Sequence, residues 1–313
     1  MGELSSGEGR DGVALIGPGA VTVAQCVRDL LTLAKFRVVA LLVFTAAVGE
    51  ILAPGFSRNW LQDGAGLVGI GLAGGAGAVF NQLVEPTIDQ HMQRTRRRPL
   101  ADGRITYRMV VLYAGVLLFG AVTVLALGTN LLTLVLTLAG TVGYGIVYTL
   151  HLKPATPWNI VWGGIAGALP PLIGWTAVTD HVALMPFALV GLIFVWTPAH
   201  FWPLALGCRE DYAKACIPML PVTHGVERTR TEIVKYAVAT FFVSLVPAVI
   251  SHNWLYGIAA VVSGGWYVRL TWRLKRMPVG PAMDRYSRSV FGASISYLFI
   301  LFAALVLGHI VLQ

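Results

Sequence analysis

The stretch Leu67-Val68-Gly69-Ile70-Gly71-Leu72-Ala73-Gly74-Gly75-Ala76-Gly77-Ala78-Val79-Phe80 carries no charge. It runs directly into Asn81-Gln82-Leu83-Val84-Glu85-Pro86-Thr87-Ile88-Asp89-Gln90-His91-Met92-Gln93-Arg94-Thr95-Arg96-Arg97-Arg98-Pro99-Leu100. The apolar segment, about 64–84, matches the ~20 residues that cross hydrocarbon. A lipid-embedded backbone must satisfy its own polar groups, so a run of this length reads as a helix. Asn81, Glu85 and Asp89 stand four apart, and each step of four drifts only about 40° around a helix. Three oxygen-bearing side chains therefore share one face at the end of a membrane span. Pro86 has no N–H to donate and predicts a kink or an end of regular helix inside the motif.

Working outward, eight more apolar runs of similar length appear. The full set is 36–54, 64–84, 108–127, 130–150, 158–178, 182–206, 233–250, 253–272 and 289–311. Composition agrees: 313 residues are 56% hydrophobic and only 12% charged, with a mean hydropathy of +0.70. A soluble domain has about 25% charged residues. An ordinary soluble globule, a disordered chain and a typical nucleic-acid binder are excluded. No soluble second domain, fixed-period repeat or low-complexity tract is present. Gly71, Gly74, Gly75 and Gly77 do not form a phosphate loop, because no strand precedes them and no Lys-Ser/Thr follows. They fit close packing of membrane helices.

The net charge is +8. Every Lys and Arg except Arg58 falls before the first run, in alternate loops, or at the run ends that adjoin them. That asymmetry predicts a cytoplasmic N-terminus and an outside C-terminus. Residues 1–25 contain Gly, Ser and acids and read as a cytoplasmic tail, not a signal peptide; 26–313 form the membrane domain. The three cysteines have no framework spacing and read as free thiols in a reducing compartment. The expected architecture is an all-α integral membrane protein, a nine-transmembrane-helix bundle with a central cavity.

The chemistry concentrates at the end of the second run. Hard oxygen ligands suit Mg²⁺, which takes one or two carboxylates and completes its shell with water and phosphate oxygens. Arg94 and Arg98, again four apart, suit phosphate. Two carboxylates beside several arginines make a charge-balanced cradle for a diphosphate; the bland alternative is a solvated helix end with ion pairs. Further on, Tyr148 and Lys153 are either diphosphate contacts or interfacial anchors. Pro170-Pro171 free backbone carbonyls, which is tolerated where a helix packs in protein or lines a cavity. Trp196-Thr197-Pro198-Ala199-His200-Phe201-Trp202 places His200 among aromatics, either as a hydrogen-bonded core residue or as a functional base or ligand. The other six histidines show no metal spacing. The next loop holds Glu210-Asp211-Tyr212 and Ile217-Pro218-Met219-Leu220-Pro221.

Asn81-x₃-Glu85-x₃-Asp89 with Met92-x-Arg94-Thr95-x-x-Arg98-Pro99-Leu100 resembles the first motif of the UbiA superfamily of intramembrane prenyltransferases. The Ala166–Gly174 stretch and the His-Phe-Trp, Asp-Tyr and Ile-Pro-Met-Leu-Pro elements are similar, more narrowly, to the protoheme IX farnesyltransferase (heme O synthase) family. The likeness covers about 27–310. Glu85 stands where the superfamily often has Asp. Four residues separate Tyr148 from Lys153, where the superfamily has Tyr-x₃-Lys. Ala34-Lys35-Phe36-Arg37 replaces the family's usual Thr-Lys-Pro-Arg, and the second acidic element is reduced to Glu210-Asp211.

The resemblance implies a UbiA-like fold in a bacterial inner membrane. It implies transfer of farnesyl from farnesyl diphosphate to a vinyl group of heme B, with water addition, giving heme O and diphosphate. Heme B would be a substrate, and Mg²⁺ the cofactor, held by Asn81, Glu85 and Asp89 with Asp211. Lys35, Arg37, Arg94, Arg98, Tyr148 and Lys153 would contact the diphosphate. His200 would meet the porphyrin at iron or propionate, or serve as base for water. Heme A synthase or a terminal oxidase assembly are the candidate protein partners. Two alternatives stay open: prenylation of an aromatic quinone precursor, which predicts no heme binding, and a non-catalytic heme carrier, which predicts no diphosphate release.

Overall fold

Every regular element in residues 22–312, the part described by the computed structural model, is helical. Most of the expected tail, 1–21, lies outside the described residues. Helix α1 (Val23–Leu33) starts within that expected tail, capped by Thr22, whose side chain accepts the Gln25 N–H at 3.2 Å. Its residues Val23, Val27 and Leu31 make an exposed apolar stripe at helical spacing, while Asp29 and Leu33 are buried. The chain then bends by 56° into α2 (Phe36–Ile51). Lys35 sits at the bend in the left-handed region, with φ 49°. Gln82 donates to the Leu33 carbonyl at 2.6 Å and so fastens the end of α1 to the next span.

That span is α3 (Trp60–Val84), N-capped by Asn59. It stops one residue before Glu85, and α4 (Pro86–His91) restarts at the proline. The predicted interruption is therefore present, because Pro86 cannot donate to the Gln82 carbonyl. α5 (Tyr107–Gly128) and α6 (Leu131–Val142) follow, capped by Thr106 and Asn130. The α6 span continues as a π-helix, Gly143–Leu152, and ends in α7 (Lys153–Ala155). The next span is broken at Leu169 into α8 (Asn159–Ala168) and α9 (Pro170–Thr179), as the paired prolines require. α10 (Leu184–Gly207) leads through α11 (Arg209–Lys214) and α12 (Leu220–Thr223) to α13 (Gly225–Val243) and α14 (Val246–Ser251). α15 (Trp254–Arg276) and α16 (Pro281–Leu312) complete the bundle.

All nine expected apolar runs are helical, and the last begins eight residues earlier than its apolar pattern suggests. By length and composition, seven helical segments among the described residues qualify as membrane spans, or eight with the bent α1–α2 pair counted as one. The eighth expected run, 253–272, lies on α15, which is interrupted by Ser263, Gly264, Gly265, Trp266 and Tyr267 and ends in Arg273, Lys275 and Arg276, so apolarity alone does not mark it as a span. Leu112, Phe119 and Leu127 of α5 and Val249 of α14 are exposed on the outside, as a lipid-facing surface requires.

Two glycines bring α2 and α9 into backbone contact. A Cβ at Gly49 would lie 2.0 Å from the Pro171 carbonyl oxygen, and one at Gly174 would lie 2.1 Å from the Ala46 carbonyl oxygen. Small residues permit this approach where lipid supplies no hydrophobic drive. The second half, α10 with α13, α15 and α16, packs around fully buried Trp202, Tyr256, Tyr267, Tyr297 and Phe302. Pro203 inside α10 strips the Ala199 carbonyl of its helical donor, and the Tyr267 hydroxyl donates to that oxygen at 2.8 Å.

The first half is not filled. An apolar cavity with about 740 Å³ of empty space, counted to its open mouth, lies between α2, α3, α6 with its π-helical extension, α8 and α9. Val39, Leu42, Ile70 and Ile173 line its walls, and Lys35 and Tyr144 line its polar end.

Candidate functional site

The polar motif follows directly on the cavity-lining part of α3 and continues into α4. Lys35 donates from Nζ to Asn81 Oδ1 at 2.6 Å and to the Tyr144 hydroxyl at 3.2 Å. Its ammonium also lies 5.8 Å from the Tyr144 ring centroid. The left-handed turn at Lys35 thus aims one cation at the first motif residue. A residue held at positive φ costs about 1–3 kcal/mol and persists where its surroundings over-determine it.

Glu85 and Asp89 remain one turn apart, because the Asp89 N–H donates to the Glu85 carbonyl at 2.9 Å. Both are buried, and each is held by its own cation. Lys153 donates to the two Glu85 carboxylate oxygens at 2.6 and 2.5 Å. Arg98 reaches both Asp89 oxygens at 2.8 and 2.7 Å through one nitrogen. Thr95 donates to the Asp89 backbone carbonyl at 3.1 Å and steadies the turn between acid and arginine.

The spacing of Tyr148 and Lys153 has a structural reason. They lie on or directly after a π-helix, where backbone bonds run from i to i−5. The Lys153 N–H donates to the Tyr148 carbonyl, and Thr149 Oγ donates to the Tyr144 carbonyl at 2.9 Å. One extra residue per turn lets Tyr-x₄-Lys occupy successive turns. Tyr144 and Tyr148 stack at 5.6 Å, and Tyr148 lies within electrostatic reach of Glu85, Arg94 and Tyr212.

Arg94 joins the two halves. It is hydrogen-bonded to Tyr212 and close to Cys208. The α3–α5 loop and the α10–α13 loop therefore meet at one end of the bundle, the end at which the basic residues were expected. Burial pushes the Tyr212 phenol up and Arg94 pulls against it; burial likewise raises the Cys208 thiol. Asp211 lies on α11 beside Cys208 and has no ion pair among the described residues. Arg37 is exposed on a groove lined by α1 and α2 and makes no ion pair with either acid among the described residues. His200 lies deeper on α10, stacked between Trp196 at 4.1 Å and Phe291 at 4.4 Å. Tyr144, Thr149 and Tyr212 were assigned no role from sequence. Only their place in the π-helix and the Arg94 contact reveals them.

Among the described residues no three His, Cys, Asp or Glu side chains gather into a ready-made metal cage. The donor chemistry nevertheless fits Mg²⁺ in its diphosphate-bound form, since Asn81, Glu85 and Asp89 offer hard oxygens at four-residue intervals across α3 and α4 and phosphate oxygens complete such a shell. All three cysteines are free.

The model of the UbiA prenyltransferase family matches residues 42–295. The protoheme IX farnesyltransferase of Alkalilimnicola ehrlichii is 49% identical, covering 90% of this chain and 92% of that protein. That of Xanthomonas axonopodis pv. citri is 45% identical, over 93% and 99%. Among solved structures, a digeranylgeranylglyceryl phosphate synthase is similar with a TM-score of 0.73 at 16% identity, covering 90% of this chain and 98% of that one. A UbiA homolog from Archaeoglobus fulgidus bound to DMAPP and Mg²⁺ is similar with a TM-score of 0.67 at 17% identity, over 88% and 99%.

Proposed function

The chain belongs to the UbiA prenyltransferase family, and from that membership we propose that it is a protoheme IX farnesyltransferase. It takes farnesyl diphosphate and heme B and yields heme O and diphosphate, consuming one water. The observation that carries this reading is an apolar cavity whose polar end, Lys35, is bonded to Asn81, with two buried carboxylates following at four-residue intervals, each already matched by a cation.

The cavity supports a prenyl chain. From Asn81 down α3 to Ile70 is eleven residues, roughly 16 Å at 1.5 Å per residue. Its aliphatic wall excludes water from an allylic cation, and the Tyr144 ring faces such a cation with π density. The mouth supports the diphosphate. Lys35, Lys153, Arg94 and Arg98 supply cations for its oxygens as negative charge grows there. Glu85 and Asp89, with Asn81 and Asp211, are the groups that would hold Mg²⁺. When bound, that ion neutralises the leaving diphosphate.

In the proposed reaction the C1–O bond of farnesyl diphosphate breaks with its electron pair leaving on diphosphate. The vinyl π bond of heme B attacks C1, and water adds to the resulting cation with loss of a proton. The same reading makes the protein a multi-pass component of a bacterial inner membrane, with the site at the cytoplasmic face, the N-terminus inside and the C-terminus outside. Residues 26–313 form its membrane domain, and a heme A synthase or oxidase assembly is the candidate recipient of product.

The test is turnover of heme B with farnesyl diphosphate, with and without Mg²⁺, read by product mass. A gain of one farnesyl and one water, dependent on Mg²⁺, is expected. Prenylation of a small aromatic ring with no change to heme would overturn the reading in favour of a quinone pathway.

A further inference from the structure

An open groove lies across the 56° bend between α1 and α2. Val27, Arg28 and Leu31 of α1, Lys35 at the bend, and Phe36, Arg37 and Val38 of α2 line it. It holds about 1020 Å³ of empty space, counted to its open side. Val27, Arg28 and Leu31 recur at the spacing of one helix face, and all three are exposed. The opposite face of α1 is fastened to the bundle. Asp29 is buried there, pairs with Arg104 and accepts from Gln25 at 3.1 Å, and Gln82 holds the Leu33 carbonyl.

Among the described residues three cations line the groove and no acid does. The Lys35 ammonium is engaged by Asn81 and by the Tyr144 hydroxyl. Arg28 and Arg37 are not engaged. Both are exposed, and neither guanidinium has an ion pair or hydrogen bond among the described residues. Beside them Val27, Leu31, Phe36 and Val38 are each about half exposed, at 49%, 45%, 59% and 55%. Free positive charge and apolar surface therefore share one open groove.

The groove lies at the basic end of the bundle, because Lys35 lines it and bonds to Asn81 of the polar motif. Basic residues of a membrane protein gather at one headgroup boundary, and a basic amphipathic helix there attracts anionic lipid. The matching ligand is an amphiphile with an anionic head. A phospholipid and a prenyl diphosphate both have that chemistry, and Lys35 and Val38 also line the apolar cavity, which makes the prenyl substrate the rival occupant. The lining favours the phospholipid. It offers guanidinium groups but no carboxylate or amide oxygen for a metal-bound diphosphate, and its apolar side chains face outward, where lipid is always at hand.

We propose that this groove seats one anionic phospholipid, its phosphate met by Arg28 and Arg37 and its acyl chains laid against Val27, Leu31, Phe36 and Val38. The lipid rests against the turn at Lys35, the residue that carries a cation to Asn81. The site is independent of which acceptor the enzyme prenylates.

The test is native mass spectrometry of the purified full-length protein, titrated with phosphatidylglycerol or phosphatidylcholine. Each basic residue near a lipid surface contributes about fivefold, so wild type is expected to bind one phosphatidylglycerol about 25-fold more tightly than phosphatidylcholine. Arg28→Gln should cut that preference to about fivefold, and Arg28→Gln/Arg37→Gln should abolish it. Both arginines are exposed and unpaired, so neither variant removes a contact that holds the fold. Arg285→Gln, which removes an exposed charge from α16, should change nothing. Farnesyl diphosphate added to the loaded protein should give the mass of a ternary complex. Equal binding of the two lipids by wild type, or an unaltered preference in the double variant, would overturn the proposal. A matching loss in R285Q would make the attraction a property of the whole basic surface and remove the site. Release of the lipid as farnesyl diphosphate binds would replace the phospholipid with the prenyl substrate as occupant.

Discussion

Lys153 closes on both carboxylate oxygens of Glu85, at 2.6 and 2.5 Å, across 68 positions of the chain. The carboxylate is buried and its cation nearly so, with side-chain exposures of 4% and 16%. Removing one partner of such a pair leaves an uncompensated buried charge and costs about 3–5 kcal/mol, whereas neutralising both is far milder. Lys153→Met should therefore lower the unfolding temperature in detergent sharply, and the Glu85→Gln/Lys153→Met double variant should recover most of the loss. Neither should turn over. A K153M protein as stable as the parent would mean that the pair is not the buried contact described.

Asp89 and Arg98 make a second pair, with one guanidinium nitrogen between two carboxylate oxygens at 2.8 and 2.7 Å. Asp89→Ala should abolish heme O formation without unfolding the protein, because the charge it orphans, Arg98 at 18% side-chain exposure, is nearer water than the Glu85 carboxylate, at 4%, that Lys153→Met orphans. Arg98→Lys keeps the charge but loses the planar fork. A charge-assisted bond is worth about 1.5–3 kcal/mol, so kcat/KM for farnesyl diphosphate should fall about 10- to 100-fold. Wild-type kcat/KM in R98K would remove Arg98 from the diphosphate site.

The cavity narrows the choice of prenyl donor by its depth. Ala73 lines it two helical turns below Asn81, where side-chain volume is small. Ala73→Phe should fill the lower chamber while leaving the polar mouth intact. Competition between farnesyl and geranyl diphosphate, read by product mass, should then shift toward the shorter donor. An unchanged product ratio would mean that the chain lies elsewhere.

Much of this was readable from residue order. Run lengths gave the helical bundle, Pro86 and Pro170-Pro171 gave the two interruptions, and the fourfold spacing of Asn81, Glu85 and Asp89 gave the motif. The one-face argument still missed how the three residues are held. Each meets a different cation, Lys35, Lys153 or Arg98, and two of these come from distant segments. Lys35 reaches Asn81 from a left-handed backbone position, and no local pattern announces that turn. The Tyr148–Lys153 spacing looks irregular on a 3.6-residue helix and regular on a π-helix, which apolar periodicity does not distinguish. α1 was overlooked because its apolar stripe is short and its polar face breaks the hydropathy average.

Pro203 and Tyr267 supply the last prediction. Proline at 203 leaves the Ala199 carbonyl without its helical donor, and the Tyr267 hydroxyl fills that place at 2.8 Å in a fully buried setting. Tyr267→Phe keeps the ring that stacks on Tyr297 at 5.2 Å but orphans the carbonyl, at a cost of about 1–3 kcal/mol. Pro203→Ala should suppress that loss, since the restored N–H donates to the same oxygen four residues back. Thermal unfolding of Y267F, P203A and the double variant checks the pairing. Additive effects in the double variant would mean that the hydroxyl and the missing N–H serve different oxygens. Stability restored toward the parent would mean that the tyrosine hydroxyl stands in for the helical bond that Pro203 removes.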